Sequence, residues 1–459
     1  MSPEQESVLV KPVPLSAQQR EWLEKAWAQI DRERLTRLAM DMVNIPSRTG
    51  EEADLARFMV DYMNGVGLEA FYQHIEERRG NAIGMIRGSG EGPDLLFNGH
   101  MDTSWTGVAE EDYPLTGPQR RDLKSEAYLE DGNIRGLGAG NMKGPDACSV
   151  MAVEAVKRAG IPLKGTAMAT LVSGEIEKCQ VQGAVRSYMG RHYMGEGIGC
   201  EFMLLHGIRS DYAINVEPGY QVIWEDSGLC WFKVQIKGVM GYVGTKGGDI
   251  YRNAIVEATK VINGLEEWGQ GYTKRHHKGL TQPQMAIGAI EAGWPYKPGM
   301  IPGICNIYMD VRTNPRDELM EVKREFGEAI QRIKGTNPGL ECDWDMYLSD
   351  PGSMTDPNNW IVQSVIRAWE HVEGKKHVNV LGRSGSSDTN VTRRWGIPTA
   401  RLGPHGSIRE PSGRRSYGEA CDIDLMYRAT KCYVYAIIDT CTRTREEVGL
   451  PRPGPIVNP

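Results

Sequence analysis

The segment 94–102 constrains the fold most, because its apolar run delivers two polar side chains to one end of a predicted strand. Its sequence is Asp-Leu-Leu-Phe-Asn-Gly-His-Met-Asp, so His100 and Asp102 follow the apolar residues. Further along the chain, the glycine-rich segment 138–144 presents Asn141 just before a predicted helix. Metallohydrolases bring their ligands together from separate strand ends in this way. The two segments therefore predict a metal site, although a site for two ions would need a carboxylate in place of Asn141.

The composition indicates a globular chain of more than one domain. Two domains are the default for 459 residues, and a content of 40% hydrophobic and 25% charged residues is ordinary for globular proteins. The net charge of −7 disfavours a nucleic-acid partner, since binding phosphates requires a basic surface. The sequence contains no apolar run of membrane-spanning length and no secretory pattern at the N-terminus. Nine cysteines without a CxxC pair predict buried free thiols in the reducing cytoplasm.

The order of predicted elements divides the chain into two domains. Strands alternate with helices in residues 1–226 and 347–459, which predicts an α/β catalytic domain with a mostly parallel sheet covered on both faces. Residues 227–346 follow a β-α-β-β-α-β order instead, and residues 229–237 alternate apolar and polar as a strand with one wet face does. We therefore predict that an α+β domain, residues 227–346, is inserted into a discontinuous catalytic domain.

Short motifs occur in a fixed order along nearly the whole chain. They are Ile45-Pro46-Ser47, Gly99-His100-Met101-Asp102, the segment 136–144, Glu217-Pro218, Gly248 with Asn253-Ala254, Asp310-Val311-Arg312, Ser387-Asp388 and Gly403-Pro404. Together they resemble the zinc metallopeptidase and amidohydrolase family of acetylornithine deacetylase, succinyl-diaminopimelate desuccinylase, aminoacylase and glutamate carboxypeptidase. The resemblance implies a zinc exopeptidase-like fold and a small-molecule substrate. It also implies that the inserted domain serves as a lid and forms a homodimer or a higher homo-oligomer.

The resemblance further implies a cluster of two metal ions bridged by one aspartate. His100 and Glu217 match the ligands of one ion, and Asp102 matches the carboxylate that orients the ligand imidazole. Four positions depart from the family pattern, and they mainly concern the second ion. The departures are Asn141 for the bridging Asp, Ile176 inside a Glu-Glu pair, Arg415 for a C-terminal His, and Tyr242 for a lid His that reaches the partner subunit's active site.

These departures predict at most one divalent ion, Zn or Mn, that is weakly bound or absent. Two adjacent divalent cations need anionic charge between them, and an amide at position 141 does not supply it. We expect His100, Glu217 and Asn141 as the ligands. Two alternatives stay open: Asn141 as a hydrogen-bond donor to the substrate, and His405 as a member of a different ligand set.

The candidate catalytic and substrate-binding residues follow from the same motifs. Glu175 is the preferred general base and Glu177 competes for this role, because either carboxylate can take a proton from a water beside the metal. Tyr242 can donate its hydroxyl to a developing oxyanion, or it can be a packing residue. Arg312 can hold a substrate carboxylate bidentately, or it can form a structural ion pair. Further candidates for substrate binding are Arg383, His405 and Arg415.

The leading hypothesis is a metal-dependent hydrolase of a non-peptide C–N bond, of the amidohydrolase or deaminase type, acting on a small carboxylate-bearing molecule. The eroded second metal position argues against ordinary peptidase activity. One alternative is an aromatic aminohydrolase similar to the enzyme that acts on 5-nitroanthranilate, which resembles this chain in its labile single metal. The other alternative is a metal-independent descendant, either a lyase or acyl-transfer enzyme or a ligand-binding protein.

Overall fold

The computed structural model describes residues 10–182, 194–246, 251–406 and 418–451, and the backbone of two short strands between 406 and 418. In chain order, the helices α1 to α11 of these residues are Ala17–Trp27, Arg32–Val43, Ala53–Gly65, Ala109–Thr116, Gly144–Arg158, Ile198–Leu205, Ala254–Arg275, Leu319–Thr336, Trp360–Glu373, Thr389–Arg394 and Ile423–Cys441. The strands β1 to β20 are Glu69–Glu76, Arg79–Ile86, Leu95–His100, Tyr128–Glu130, Asn133–Arg135, Ala167–Val172, Tyr212–Asn215, Gly219–Ile223, Glu225–Asp226, Gly228–Lys237, Gly241–Tyr242, Met285–Ala292, Met300–Ile301, Ile304–Thr313, Glu341–Asp350, Ser353–Met354, Thr399–Gly403, Ile408–Arg409, Arg415–Ser416 and Ala420–Asp422.

The larger sheet has seven strands in the order β1-β2-β6-β3-β7-β17-β8. The pairs β6–β3, β3–β7 and β7–β17 are parallel, whereas the pairs toward both edges are antiparallel. The predicted α/β class is confirmed, but the sheet is mixed, with parallel pairing confined to its centre. Parallel strands need crossover connections, and α5 and α6 lie in the connections of this central region.

Helices cover both faces of this sheet, which explains why its central strands are mostly apolar and buried throughout. Every residue of β3 and β6 is buried. Leu95 and Phe97 pack in the main core with α1, α2, α5, α9 and α11, whereas Leu96 between them packs in a smaller core with α6 and α10. Because successive side chains of a strand point to opposite faces, a strand buried on both faces cannot alternate with polar residues.

A second sheet has the antiparallel order β12-β14-β10-β15 and packs against α7 and α8. The apolar positions of β10, such as Phe232 and Val234, are buried in its core, and the ring of Phe232 stacks on that of Phe326 at 3.9 Å between centroids. The polar positions between them are partly exposed, as the alternation in 229–237 predicts. The sheet runs from residue 228 to residue 350, and the domain bounds at 227 and 346 stay a prediction.

Two further sequence expectations can be compared with the described residues. All nine cysteines are free and eight of them are buried, with Cys179 only partly so. None of the described helices combines the length and apolar character needed to cross a membrane.

Candidate metal centre

Four polar side chains converge where the central parallel strands end. His100 is the last residue of β3, Glu175 lies in the loop after β6, and Glu217 lies shortly after β7. Because β6, β3 and β7 are parallel neighbours, their carboxyl ends meet at one edge of the sheet. Asn141 joins them from the glycine-rich turn before α5.

The converging atoms are close enough to share one cation. One ligand atom from each of His100, Glu175 and Glu217 lies within 4.8 Å of the others, and all three residues are buried. The Nε2 atom of His100 is 3.4 Å from Glu175 Oε2, 3.4 Å from Glu217 Oε1 and 3.3 Å from Asn141 Oδ1. The centre thus combines one imidazole nitrogen with carboxylate and amide oxygens.

The tautomer of His100 explains why this centre suits a metal ion. Its Nδ1 atom is 3.0 Å from the backbone oxygen of Asp102 and 3.3 Å from the Oδ1 atom of the same residue. Both oxygens are acceptors, so Nδ1 carries the hydrogen and the lone pair of a neutral ring lies on Nε2. That lone pair faces three oxygen atoms, an arrangement that only a proton or a cation can stabilise. Imidazole nitrogen with carboxylate and amide oxygens is a donor set that suits Zn or Mn, so the residues present fit the predicted ion.

Asp102 connects the imidazole to the loop that carries Glu175. Its Oδ1 atom accepts a hydrogen bond from the Glu175 backbone nitrogen (3.0 Å), and its Oδ2 atom accepts from the Ile176 nitrogen (3.1 Å) and the Thr49 hydroxyl (2.8 Å). Burial raises the pKa of Asp102, but its bonds with His100 outweigh burial and lower the pKa to about 2. The carboxylate therefore stays ionised and fixes both the ring and the loop, as expected of a residue that orients a ligand.

The centre contains more buried acids than the sequence motifs indicate. Asp388, which belongs to the Ser387-Asp388 motif, is buried and accepts a hydrogen bond from the Asn98 amide at 3.0 Å. Asp146, in the first turn of α5, is fully buried, and neither of its oxygens has a hydrogen-bond partner among the described residues. Burial raises the pKa of Asp388 to about 7 and that of Asp146 well above its ordinary value. This excess of buried acids further favours a bound cation.

The same acids shift the pKa values of the two groups that face each other across the centre. Burial raises the pKa of Glu175 well above its ordinary value, and the charges of Glu217 and Asp388 add to the shift while His100 opposes it. Burial lowers the pKa of His100, but Glu175, Asp102 and Glu217 outweigh burial and raise it well above its ordinary value. A carboxyl group whose pKa is raised holds an accepted proton more readily, which suits a general base that later returns the proton.

Glu177 and Arg312 form an ion pair between the two sheets. The Arg312 guanidinium, on β14, donates two hydrogen bonds of 2.6 Å to the Glu177 carboxylate and lies 2.8 Å from Asp310. The structural ion pair considered from sequence is thus present. Since Glu177 is already bonded, Glu175 is the better placed candidate base, and carboxylate binding by Arg312 stays a prediction.

A cavity of about 700 Å³ opens beside the centre and is lined by residues of both sheets. Its wall includes Glu175, Glu217, Asn141, Met285 and Arg312. The volume suits a small molecule rather than a long peptide.

Two arginines give part of this wall a positive charge. Arg401, which the sequence reasoning missed, donates to Asp226 at 2.9 Å and lies 3.6 Å from Glu217. The Arg383 side chain has no hydrogen bond or ion pair among the described residues. Burial and the neighbouring Arg401 lower its pKa to about 10, so it is still charged at neutral pH. An arginine before the Gly403-Pro404 motif is a signal that could have drawn attention to Arg401.

The remaining predicted residues differ in their placement. His405 lines the cavity together with Arg383. Tyr242 lies on the short strand β11, is exposed, and is not among the residues that line the cavity. The backbone of Arg415 forms part of β19, but its side chain lies outside the described residues. The roles proposed for these residues stay predictions.

The sequence and the fold are similar to those of several known hydrolases. The chain is 23% identical over 449 residues to N-formyl-4-amino-5-aminomethyl-2-methylpyrimidine deformylase of Halalkalibacterium halodurans, covering 91% of this chain and 97% of the relative. It is 24% identical over 419 residues to succinyl-diaminopimelate desuccinylase of Pseudomonas fluorescens, and the match covers 90% of this chain and 98% of the relative. Its fold is similar to that of human carnosine dipeptidase 1, with a TM-score of 0.67, 13% identity, and coverage of 93% and 99%.

The family assignment rests on most of the chain. The sequence model of peptidase family M20/M25/M40 matches residues 96–439, a range that contains the candidate centre from His100 to Asp388 and the whole second sheet. The resemblance seen in the motifs is therefore confirmed, and the chain belongs to peptidase family M20/M25/M40.

Proposed function

We propose that this protein is a metal-dependent hydrolase of an amide-type, non-peptide C–N bond in a small carboxylate-bearing molecule. The observation that carries the proposal is the lone pair of His100 Nε2, which faces Glu175, Glu217 and Asn141 oxygens at 3.3–3.4 Å. Membership in a hydrolase family, and similarity to a deformylase and a desuccinylase, support hydrolysis of a C–N bond.

We further propose that the centre holds one labile divalent ion, with His100, Glu217 and Asn141 as its ligands. Members of the family bind divalent metals, often as a pair. The neutral amide of Asn141 and the apolar side chain of Ile176 replace two of the acidic residues that the two-metal pattern requires. Without that charge, a second cation beside the first is poorly stabilised.

Glu175 and Asp102 have different roles in the proposed reaction. When bound, the ion supplies Lewis acidity that polarises the substrate carbonyl and eases deprotonation of water. Glu175 accepts a proton from the attacking water as the water oxygen bonds to the carbonyl carbon. The C–N bond then breaks, and Glu175 returns the proton to the leaving nitrogen. Asp102 holds both the imidazole of His100 and the backbone of Glu175 in place during these steps.

Arg383 is the proposed binding group for the substrate carboxylate. It lines the cavity and carries a charge with no partner among the described residues. The charges of Asp226 and Glu217 act on Arg383 without hydrogen-bonding to it. A buried guanidinium that lacks hydrogen-bond acceptors is costly, and a carboxylate can satisfy it with two parallel hydrogen bonds. Arg312 is a weaker candidate, because Glu177 and Asp310 already neutralise it.

The second sheet offers a surface for the proposed homodimer. Among the described residues, its edge strand β12 has no partner on one side, and exposed apolar residues lie on β12, just after it and elsewhere in residues 227–346. They include Met240, Val256, Ile290, Trp294 and Tyr296. Exposed apolar side chains beside an open strand edge favour association with a second copy of the chain.

Metal content and turnover test the proposal together. Protein purified without chelator should contain about one equivalent of Zn or Mn by elemental analysis, and a panel of N-acyl amino acids should release free amine. His100→Ala should lose both the metal and the turnover, whereas His206→Ala, at an exposed position outside the centre, should keep both. A protein that binds no metal, even with product added, and whose turnover is insensitive to chelator would refute the proposal.

A further inference from the structure

Glu419 is a buried carboxylate, and one of its oxygens lacks a hydrogen-bond partner among the described residues. Its side chain is 1% exposed and lines the cavity beside the metal centre. The Oε2 atom accepts hydrogen bonds from the backbone nitrogens of Gly140 and Asn141, each at 3.3 Å. The Oε1 atom has no hydrogen-bond partner among the described residues. One half of the carboxylate thus fixes the glycine-rich turn, and the other half lacks a donor.

No neighbouring cation of the described residues serves the free oxygen. The buried Lys143 contributes positive charge near Glu419, but its ammonium donates to the Ile45 carbonyl at 2.8 Å. The Asp146 and Asp388 side chains also have oxygens without partners, yet neither residue lines the cavity. Asp310 also lines the cavity and has an oxygen without a hydrogen-bond partner, but its carboxylate lies 2.8 Å from Arg312. Glu419 is therefore distinguished by lining the cavity without an ion pair among the described residues.

We propose that Glu419 binds an amino or ammonium group of the substrate, so that the cavity recognises a small molecule with both a carboxylate and a hydrogen-bond-donating nitrogen. The inference rests on the proposed function, which supplies the substrate carboxylate that binds Arg383. Because Glu419 holds the backbone of Asn141, whose side chain faces His100, the nitrogen lies close to the scissile bond. A donor that reaches the Oε1 atom would satisfy a buried acceptor whose isolation is unfavourable.

The variant Glu419→Gln isolates this role. Its amide oxygen can still accept from the Gly140 and Asn141 nitrogens, so the turn keeps its support. Its amide nitrogen would replace the Oε1 atom, and a donor would then face the donor of the ligand. The matched control is Glu196→Gln, because Glu196 also has an oxygen without a partner but does not line the cavity.

The binding experiment uses metal-loaded protein and two series of probes, straight-chain ω-amino acids from glycine to 6-aminohexanoate and the alkanoates of equal length. Titration calorimetry should show at least one ω-amino acid binding about tenfold more tightly than its alkanoate, as a charge-assisted hydrogen bond provides. Glu419→Gln should abolish this preference and leave the binding of alkanoates unchanged, whereas Glu196→Gln should preserve it. Arg383→Met should weaken both series.

The outcomes separate this inference from the proposed function. If no ω-amino acid is preferred over its alkanoate, or if Glu419→Gln retains the preference, the role of Glu419 is refuted. Absence of binding by either series also refutes it. A preference that depends on Glu419 in a protein without bound metal or turnover would support the inference and refute the proposed hydrolase.

Discussion

Replacing Asp102 by Asn perturbs the candidate metal centre without removing a proposed ligand. The carboxylate of Asp102 faces His100 and accepts hydrogen bonds from Thr49, Glu175 and Ile176. Asn has one acceptor oxygen in place of two, so its amide nitrogen must face hydrogen-bond donors on one side. The imidazole or the loop after β6 then loses its support, although the volume of the side chain is unchanged.

The expected magnitude follows from these contacts. Outer partners of metal-ligating histidines contribute about 10- to 100-fold to metal affinity, which corresponds to about 1.4 to 2.8 kcal/mol. The buried donors left facing an amide nitrogen add a loss of stability of about 1–3 kcal/mol. Because the pKa of Asp102 is about 2, the carboxylate is ionised throughout the neutral range, so the substitution removes a full negative charge beside His100 at any pH of the assay.

Competition with a chromophoric chelator measures the affinity, and urea denaturation measures the stability. Asp112→Asn is the matched control, because Asp112 is buried and accepts hydrogen bonds from the backbone nitrogens of Thr106 and Gly107, each at 2.9 Å, but does not contact the centre. It should lose stability and keep its metal affinity. Unchanged affinity in Asp102→Asn, or an equal loss in both variants, would refute the reasoning.

Three further predictions follow from other contacts. Hydrogen bonds to Asp317 and Glu325 raise the pKa of His276 to about 9, so its charge stabilises the fold fully below pH 6.5 and this contribution is lost as the pH rises through 9. Allowing for solvent screening, His276→Gln should lower the free energy of unfolding by about 1–2 kcal/mol at pH 6 and by little at pH 10 in urea denaturation. An equal loss at both pH values would contradict this. Asn141→Asp supplies the missing anionic charge and should raise the metal content above one equivalent in elemental analysis; unchanged stoichiometry and affinity would count against the one-ion explanation. Lys178→Met removes two hydrogen bonds that hold the loop carrying the candidate base Glu175. The variant should show a kcat about tenfold lower with unchanged metal content. A wild-type kcat would show that the loop does not need these hydrogen bonds.

Local patterns predicted the framework of the centre well. The apolar run before His100 is a fully buried strand, and the glycine-rich turn places Asn141 beside that histidine at 3.3 Å. These features depend on neighbouring residues, whose backbone preferences and apolar periodicity are legible along the chain. The sequence overestimated the parallel content of the sheet, because edge strands such as β1 pair by contacts that their own residues do not specify.

The electrostatic partners were much less predictable. Asp388 and Arg401 reach the centre from positions far along the chain, and the motifs beside them do not indicate how close their charges lie to Glu217. The sequence likewise did not indicate the ion pair between Glu177 and Arg312, which favours Glu175 as the candidate base. Hydrogen bonds and pKa shifts depend on burial and on distances between remote segments, which a single sequence does not encode locally.

The sequence by itself determined the family and the α/β class, and it gave His100, Glu217 and Asn141 as candidate groups to hold a cation, because these follow from motif order and from side-chain chemistry. Only the tertiary structure decided which charged side chains are already neutralised by a partner. It pairs Arg312 with Glu177, leaves Arg383 without a partner among the described residues, and leaves one oxygen of Glu419 without a donor. The reason is that charge compensation depends on contacts between remote segments of the fold. In the low dielectric of the interior, a buried charge without a partner has a large energetic cost.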